Sequence, residues 1–154
     1  DLVRSRGLGD VYKRQGARHT GREAALQMLF QVEAQNASSE ETIRLFWRQF
    51  EGDPEGRAYA DSIVKGVTDT RDAIDATIRK ASTHWRLERM SRVDRNLLRL
   101  GAWELLNSTD VPRAVVLDEA VELAKSYGTE ESPAFVNGVL NRVAEDIGRK
   151  DRDR

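Results

Sequence analysis

Cysteine is absent from this 154-residue chain, which excludes disulfide scaffolds and thiolate chemistry. Histidine is scarce: His19 and His84 stand alone and far apart, too few for a histidine-based metal site or a nucleophile–base pair. No apolar run approaches the roughly 18 residues of a membrane span. The start also lacks the apolar core, about 7 to 15 residues long, of a secretory signal peptide. A cytoplasmic protein with no membrane association is expected. Charge of one sign is missing as well, since 25 basic and 26 acidic residues leave a formal net charge of -1. That balance excludes a uniformly basic nucleic-acid coat but leaves room for a local patch. A phosphate-binding loop would need GxxxxGK[ST] after a strand, and Gly52 to Gly56 lacks both the lysine and the strand. The paired carboxylates Glu40-Glu41 and Glu130-Glu131 fall at helix starts, where the helix dipole favours acids. No catalytic residue, metal or cofactor is assigned, and the chain is read as a non-enzyme.

What is present is helical periodicity. Residues 1–16 carry neither helical nor strand pattern and are expected to be a disordered leader or cloning remnant outside the fold. From there on, cap signals alternate with amphipathic stretches. Thr20-Gly21-Arg22-Glu23 reads as a capping box, followed by Ala25, Met28, Leu29 and Val32 on one face. Ser38 to Glu41 reads as a second box before Ile43, Phe46, Trp47 and Phe50. Asp53 and Pro54 open a third helix with Tyr59, Ile63 and Val67 inward. Asp69 is expected to cap a fourth, bearing Ile74 and Ile78. Ser91 to Asp94 opens a fifth whose apolar residues, Val93 to Leu105, spread over more than half its circumference, so it should be central. Asn107 to Pro112 is a loop. Gly128 ends the sixth helix, and Ser132-Pro133 opens the seventh. The expectation is an all-α fold, a compact bundle of about seven helices in two halves, over residues 17–148, with 149–154 a solvated tail. Gly138, inside the last helix, predicts close approach by another helix or a ligand backbone, because glycine there costs about 1 kcal/mol relative to alanine.

The bases are uneven in kind, 20 arginines against five lysines. Guanidinium groups suit bidentate phosphate contacts and stacking on bases, although a GC-rich genome would enrich arginine too. Arg86, Arg89, Arg92, Arg95 and Arg99 form a basic patch, within which Arg92, Arg95 and Arg99 are spaced to share a helix face; it would meet RNA phosphates or pair internally with Glu88 and Asp94, and the internal role is favoured.

Three stretches resemble the NusB family. The first is Arg22-Glu23-Ala24-Ala25-Leu26-Gln27-Met28-Leu29-Phe30, preceded by Ala17-Arg18. The second runs from Val93-Asp94-Arg95-Asn96-Leu97 to Trp103-Glu104-Leu105. The third joins Glu119-Ala120-Val121-Glu122-Leu123-Ala124-Lys125 to Phe135-Val136-Asn137-Gly138-Val139-Leu140. The resemblance implies a transcription antitermination factor that binds boxA-type single-stranded RNA together with the ribosomal protein NusE. It would act with the RNA polymerase antitermination complex and support ribosomal RNA transcription. Carried over by position, Arg18, Arg22, Phe30, Phe135 and Asn137 are the RNA-binding residues. Cations for phosphates and aromatic faces for unpaired bases fit single-stranded RNA. The family's basic N-terminal cluster is thinned here to Arg18-His19-Thr20-Gly21-Arg22. Glu88, Asp94 and Glu131 are the partner-binding residues. From Asp118 to Glu131, five acids against Lys125 give a local balance of -4, which would steer a basic ribosomal protein. Two other readings stay open: a NusB-like accessory domain of a ribosomal RNA cytosine methyltransferase, and a purely protein-binding helical module. A homodimer is also left open.

Overall fold

The computed structural model describes residues 2–151, with side chains from residue 16 on. Its described residues form seven α-helices and no strand: α1 (Leu2–Gln35), α2 (Ser39–Gln49), α3 (Pro54–Asp69), α4 (Arg71–Ala81), α5 (Arg92–Asn107), α6 (Arg113–Tyr127) and α7 (Ser132–Asp146). A 3-10 turn, Leu87–Arg89, precedes α5. No helix among the described residues is long and apolar enough to cross a membrane. The chain divides into two compact units, Asp1–Lys65 and Gly66–Arg154.

In the first unit, Ala25, Leu26, Met28 and Leu29 of α1 are buried, as are Ile43 of α2 and Ala60, Ile63 and Val64 of α3. Helices α1 and α3 approach through glycine. A Cβ on Gly21 would stand 2.7 Å from the Gly56 carbonyl oxygen, and one on Gly56 would stand 2.7 Å from that of Ala17. Only residues without a Cβ permit that spacing. The expected helix start at Thr20 is corrected here. Helix α1 begins at Leu2, within the stretch read as a leader. Thr20 lies inside it, and its hydroxyl donates to the carbonyls of Gly16 and Ala17 at 3.2 and 3.0 Å. A threonine hydroxyl turned back on the preceding turn is the usual solution inside a helix. The second box holds in half: Ser38 Oγ accepts from Glu41 N–H at 3.1 Å, while the Glu41 carboxylate pairs with Arg44 at 2.7 Å.

In the second unit, α5 is central as its wide apolar face predicts: Leu97, Leu98, Leu100, Ala102 and Leu105 are buried. It packs against α4, α6 and α7. A Cβ on Gly101 of α5 would crowd the Leu140 side chain of α7. Ser91 caps α5, its Oγ accepting from Asp94 N–H at 3.1 Å. Asp69 is not the cap of α4; it is the last residue of α3, and Thr70 takes the N-cap position without a side-chain cap bond. Thr70 instead donates back to the Gly66 carbonyl at 2.6 Å. Gly138 is corrected also: nothing comes within 4 Å of where its Cβ would be, so no close approach explains it. The tail expected to be solvated folds back as far as Asp151. Arg149 donates to the carbonyls of Leu105 and Val111 at 2.9 and 2.7 Å, and Asp151 accepts from the Arg113 N–H at 2.8 Å. The residues of that tail beyond Asp151 lie outside the described residues.

Candidate nucleic-acid interface

The first unit assembles two of the expected RNA residues around one ring. Arg18 and Arg22, one helical turn apart on α1, both lie over Tyr59 of α3, with guanidinium carbons 4.8 and 5.2 Å from its centroid. Cations favour an aromatic face because the ring quadrupole is negative there. Arg22 also donates to Tyr59 Oη at 3.5 Å. The pair is not equivalent, since Arg22 is only 2% exposed whereas Arg18 is partly exposed. Arg22 is built into the α1–α3 contact, and Arg18 is the more accessible of the two arginines expected on the RNA side. Phe30, near the end of α1, is 37% exposed, so it is a surface ring rather than a core one.

The second unit brings together residues from both expected partner classes. A groove of about 820 Å³ is lined by Trp85, Arg86, Arg89, Asp94, Glu131 and Phe135, among others. Phe135, in the first turn of α7, is half-buried and meets Trp85 edge to face, with centroids 5.8 Å apart. Asp94, in the first turn of α5, has one oxygen, Oδ1, buried with no hydrogen-bond partner among the described residues. Glu131 is exposed in the turn before α7. Asn137 is exposed on α7 and does not line this groove, and neither does Glu88. Glu88 is taken up by Arg79 at 2.6 Å. Its carboxyl is held below the usual range, first by its own backbone N–H and then by that guanidinium.

The arginines of α5 divide by burial and by partner. Arg99 is buried and grips Asp75, and Arg95 Nη1 donates to the carbonyls of Leu87 and Met90 at 3.0 and 2.8 Å. The favoured internal role holds for these two, but Glu88 and Asp94 are not the partners that bind them. The sequence reading did not single out Trp85, which lines the groove, or Tyr59, which lies beneath the two arginines, as candidate site residues. Trp85 is 62% exposed; its signal is a lone tryptophan between two periodic segments, where no core face calls for one. Tyr59 was assigned to the core, and its ring is instead half-buried beneath two arginines. Among the described residues, no group of three or more histidine, aspartate or glutamate side chains is gathered to hold a metal ion.

An all-helical fold with an arginine–aromatic cluster in one unit and an aromatic, mixed-charge groove in the other defines a class of small helical proteins with charged and aromatic surface sites. A family model described as the NusB family matches residues 19–145. The chain is 70% identical over 139 residues to the transcription antitermination protein NusB of Sorangium cellulosum (strain So ce56), covering 90% of this chain and 99% of that one. It is 51% identical to the protein of the same name from Myxococcus xanthus (strain DK1622), over 84% of this chain and 95% of that relative. Among solved structures, the fold is similar to a T. maritima NusB with a TM-score of 0.76 at 36% identity, covering 84% and 91% of the two chains. It is also similar to a NusB solved in complex with NusE and double-stranded RNA, with a TM-score of 0.77 at 26% identity, covering 84% and 97%. The chain belongs to the NusB family.

Proposed function

We propose that this protein is a transcription antitermination factor that binds boxA-type single-stranded RNA jointly with NusE, and so helps RNA polymerase through ribosomal RNA genes. The reading rests on one observation above all: the aromatic residue Phe135 and the carboxylates Asp94 and Glu131 border a single groove. Phe135 offers a ring to an unpaired base. Asp94 and Glu131, with the acids of α6, offer charge to a basic ribosomal protein and steer it on approach. In the first unit, Arg18 supplies a phosphate contact and Phe30 is a further RNA-side residue; Asn137 of α7 is another in the second unit. The role is bridging, with no bond made or broken: two ligands held on one scaffold raise each other's effective concentration.

Titrating a boxA-type oligoribonucleotide with and without NusE tests this. Tighter RNA binding in the presence of NusE is the expected outcome. Log affinity should fall with log salt at a slope of about -0.7 for each phosphate neutralised. Independent binding of the two ligands would overturn the bridging role.

A further inference from the structure

The proposed function gives no role to Trp85, Arg86 or Arg89, which line the same groove as the carboxylates. The loop carrying them is held at both ends. Ser82 Oγ donates to the Ile78 carbonyl at 2.8 Å, and Trp85 N–H donates to the Ser82 carbonyl at 3.0 Å. Beyond them Leu87 is buried at 2% exposure, and Arg95 ties down the carbonyls of Leu87 and Met90. A large indole held 62% exposed on so constrained a turn is pre-organised for contact, and pre-organisation lowers the cost of binding.

The cations beside it are set apart from their neighbours. Arg79 is paired with Glu88, Arg99 with Asp75, Arg113 with Glu145, Arg142 with Asp146 and Arg149 with Asp151. Arg86 and Arg89 make no side-chain hydrogen bond or ion pair among the described residues. Arg86 does lie near enough to the Glu88 carboxyl to act on it electrostatically. Two guanidinium groups with unfilled donors, flanking an exposed indole that meets Phe135 edge to face, match a chain of phosphates with unpaired bases. An apolar protein segment would use the rings and leave those donors unmet.

We infer that Trp85 is a base-stacking platform for single-stranded RNA, with Arg86 and Arg89 holding the flanking phosphates and Phe135 bracing the indole. This rests on the RNA-binding reading above and extends it to three residues which that reading leaves unused. The single ring contact at 81° covers at most one indole face, and any base can stack on the other because each has a π-face.

The test compares wild type, Trp85→Ala, Trp85→Phe and the double variant Arg86→Gln/Arg89→Gln, titrated with a boxA-type oligoribonucleotide in the presence of NusE. Trp85→Ala should weaken RNA binding about 5- to 150-fold, the range for losing one base–aromatic stack, while Trp85→Phe should restore most of it. The double variant should lower the magnitude of the salt slope by about 1.4, two contacts at about 0.7 each. Should Trp85→Ala fail to fold, the salt slope of the double variant decides. Unchanged RNA affinity in folded Trp85→Ala, or an unchanged slope in the double variant, overturns the inference and leaves the RNA reading intact. Loss of NusE binding by Trp85→Ala in the absence of RNA overturns it too, in favour of a protein contact. A wild type that binds no RNA even with NusE sinks the underlying reading, and this inference with it.

Discussion

Arg99 of α5 grips Asp75 of α4 in a fork, Nε to Oδ1 at 2.8 Å and Nη2 to Oδ2 at 3.0 Å, with both residues buried. Asn96 Oδ1 accepts a further bond from Arg99 at 3.3 Å. The guanidinium donates in parallel to both carboxylate oxygens, the geometry in which an ion pair is strongest and most directional. Arg71 reaches the same carboxylate from the surface at 3.9 Å. The pair therefore fixes the register of α4 against α5, and α5 is the helix from which the groove residue Asp94 projects.

Removing one member of this pair should cost far more than removing both. Asp75→Ala would take its carboxylate partner from a buried guanidinium, a change that costs about 3–5 kcal/mol in such pairs. Replacing the two together by apolar residues, Asp75→Leu with Arg99→Met, should recover most of that loss. Urea denaturation of the three variants checks it. Additive losses in the double variant would mean that the pair contributes no coupling.

How far the molecule could be read from its sequence turns on range. The seven helices and the Ser38 and Ser91 caps were legible because each depends on residues within one turn of one another. The false helix start at Thr20 has the same local signature as the true ones; what differs is that the preceding residues also enter the helix, and their weak periodicity hides this. Arg99 was placed on a helix face correctly, but its partner lies 24 residues away, and spacing along one helix reveals no such contact. Trp85 escaped notice because a single ring in a loop carries no period. The groove itself joins a loop, the start of α5 and the start of α7, a juxtaposition that exists only after folding.

The glycines make the same point as a paired prediction. Gly56→Ala would drive a Cβ to 2.7 Å from the backbone carbonyl of Ala17. Backbone yields less than a side-chain tip, so a loss of about 1–3 kcal/mol is expected, as for overpacking in a close-packed core. Gly138→Ala meets nothing within 4 Å and sits in a helix interior, where alanine is favoured over glycine by about 1 kcal/mol. Thermal melting should move down for the first and up for the second. A fall for both would point to a role for Gly138 that its surroundings do not disclose.

The C-terminal clasp predicts a pH dependence. The Asp151 carboxyl is held far below the ordinary aspartate range, first by the Arg149 side chain and then by the Arg113 N–H at the start of α6. A group whose folded-state value is depressed adds stability that is fully present above its unfolded value and lost as pH falls toward the folded one. Asp151→Asn should thus be less stable than wild type at neutral pH, and the gap should narrow as pH drops below about 4. Denaturant midpoints of both proteins at neutral and acidic pH read the effect directly. A gap that stays constant with pH would mean that the clasp acts by packing and not by charge.

Arg18 and Arg22 share Tyr59 but should fail in different ways. Arg22 is 2% exposed and hydrogen-bonded to the ring hydroxyl, so Arg22→Gln should lower stability, by about 1–3 kcal/mol as buried polar partners are lost. Arg18 is partly exposed, and Arg18→Gln should leave melting nearly unchanged while reducing the salt slope of RNA binding by about 0.7. Tyr59→Leu removes the ring beneath both cations, so it should combine a stability loss with weaker RNA binding through a less ordered Arg18. Melting curves and RNA titrations on the three variants separate these effects. The decisive comparison is Arg18→Gln, because an undiminished salt slope there would remove the first unit from the RNA contact and leave the groove of the second unit to carry it alone.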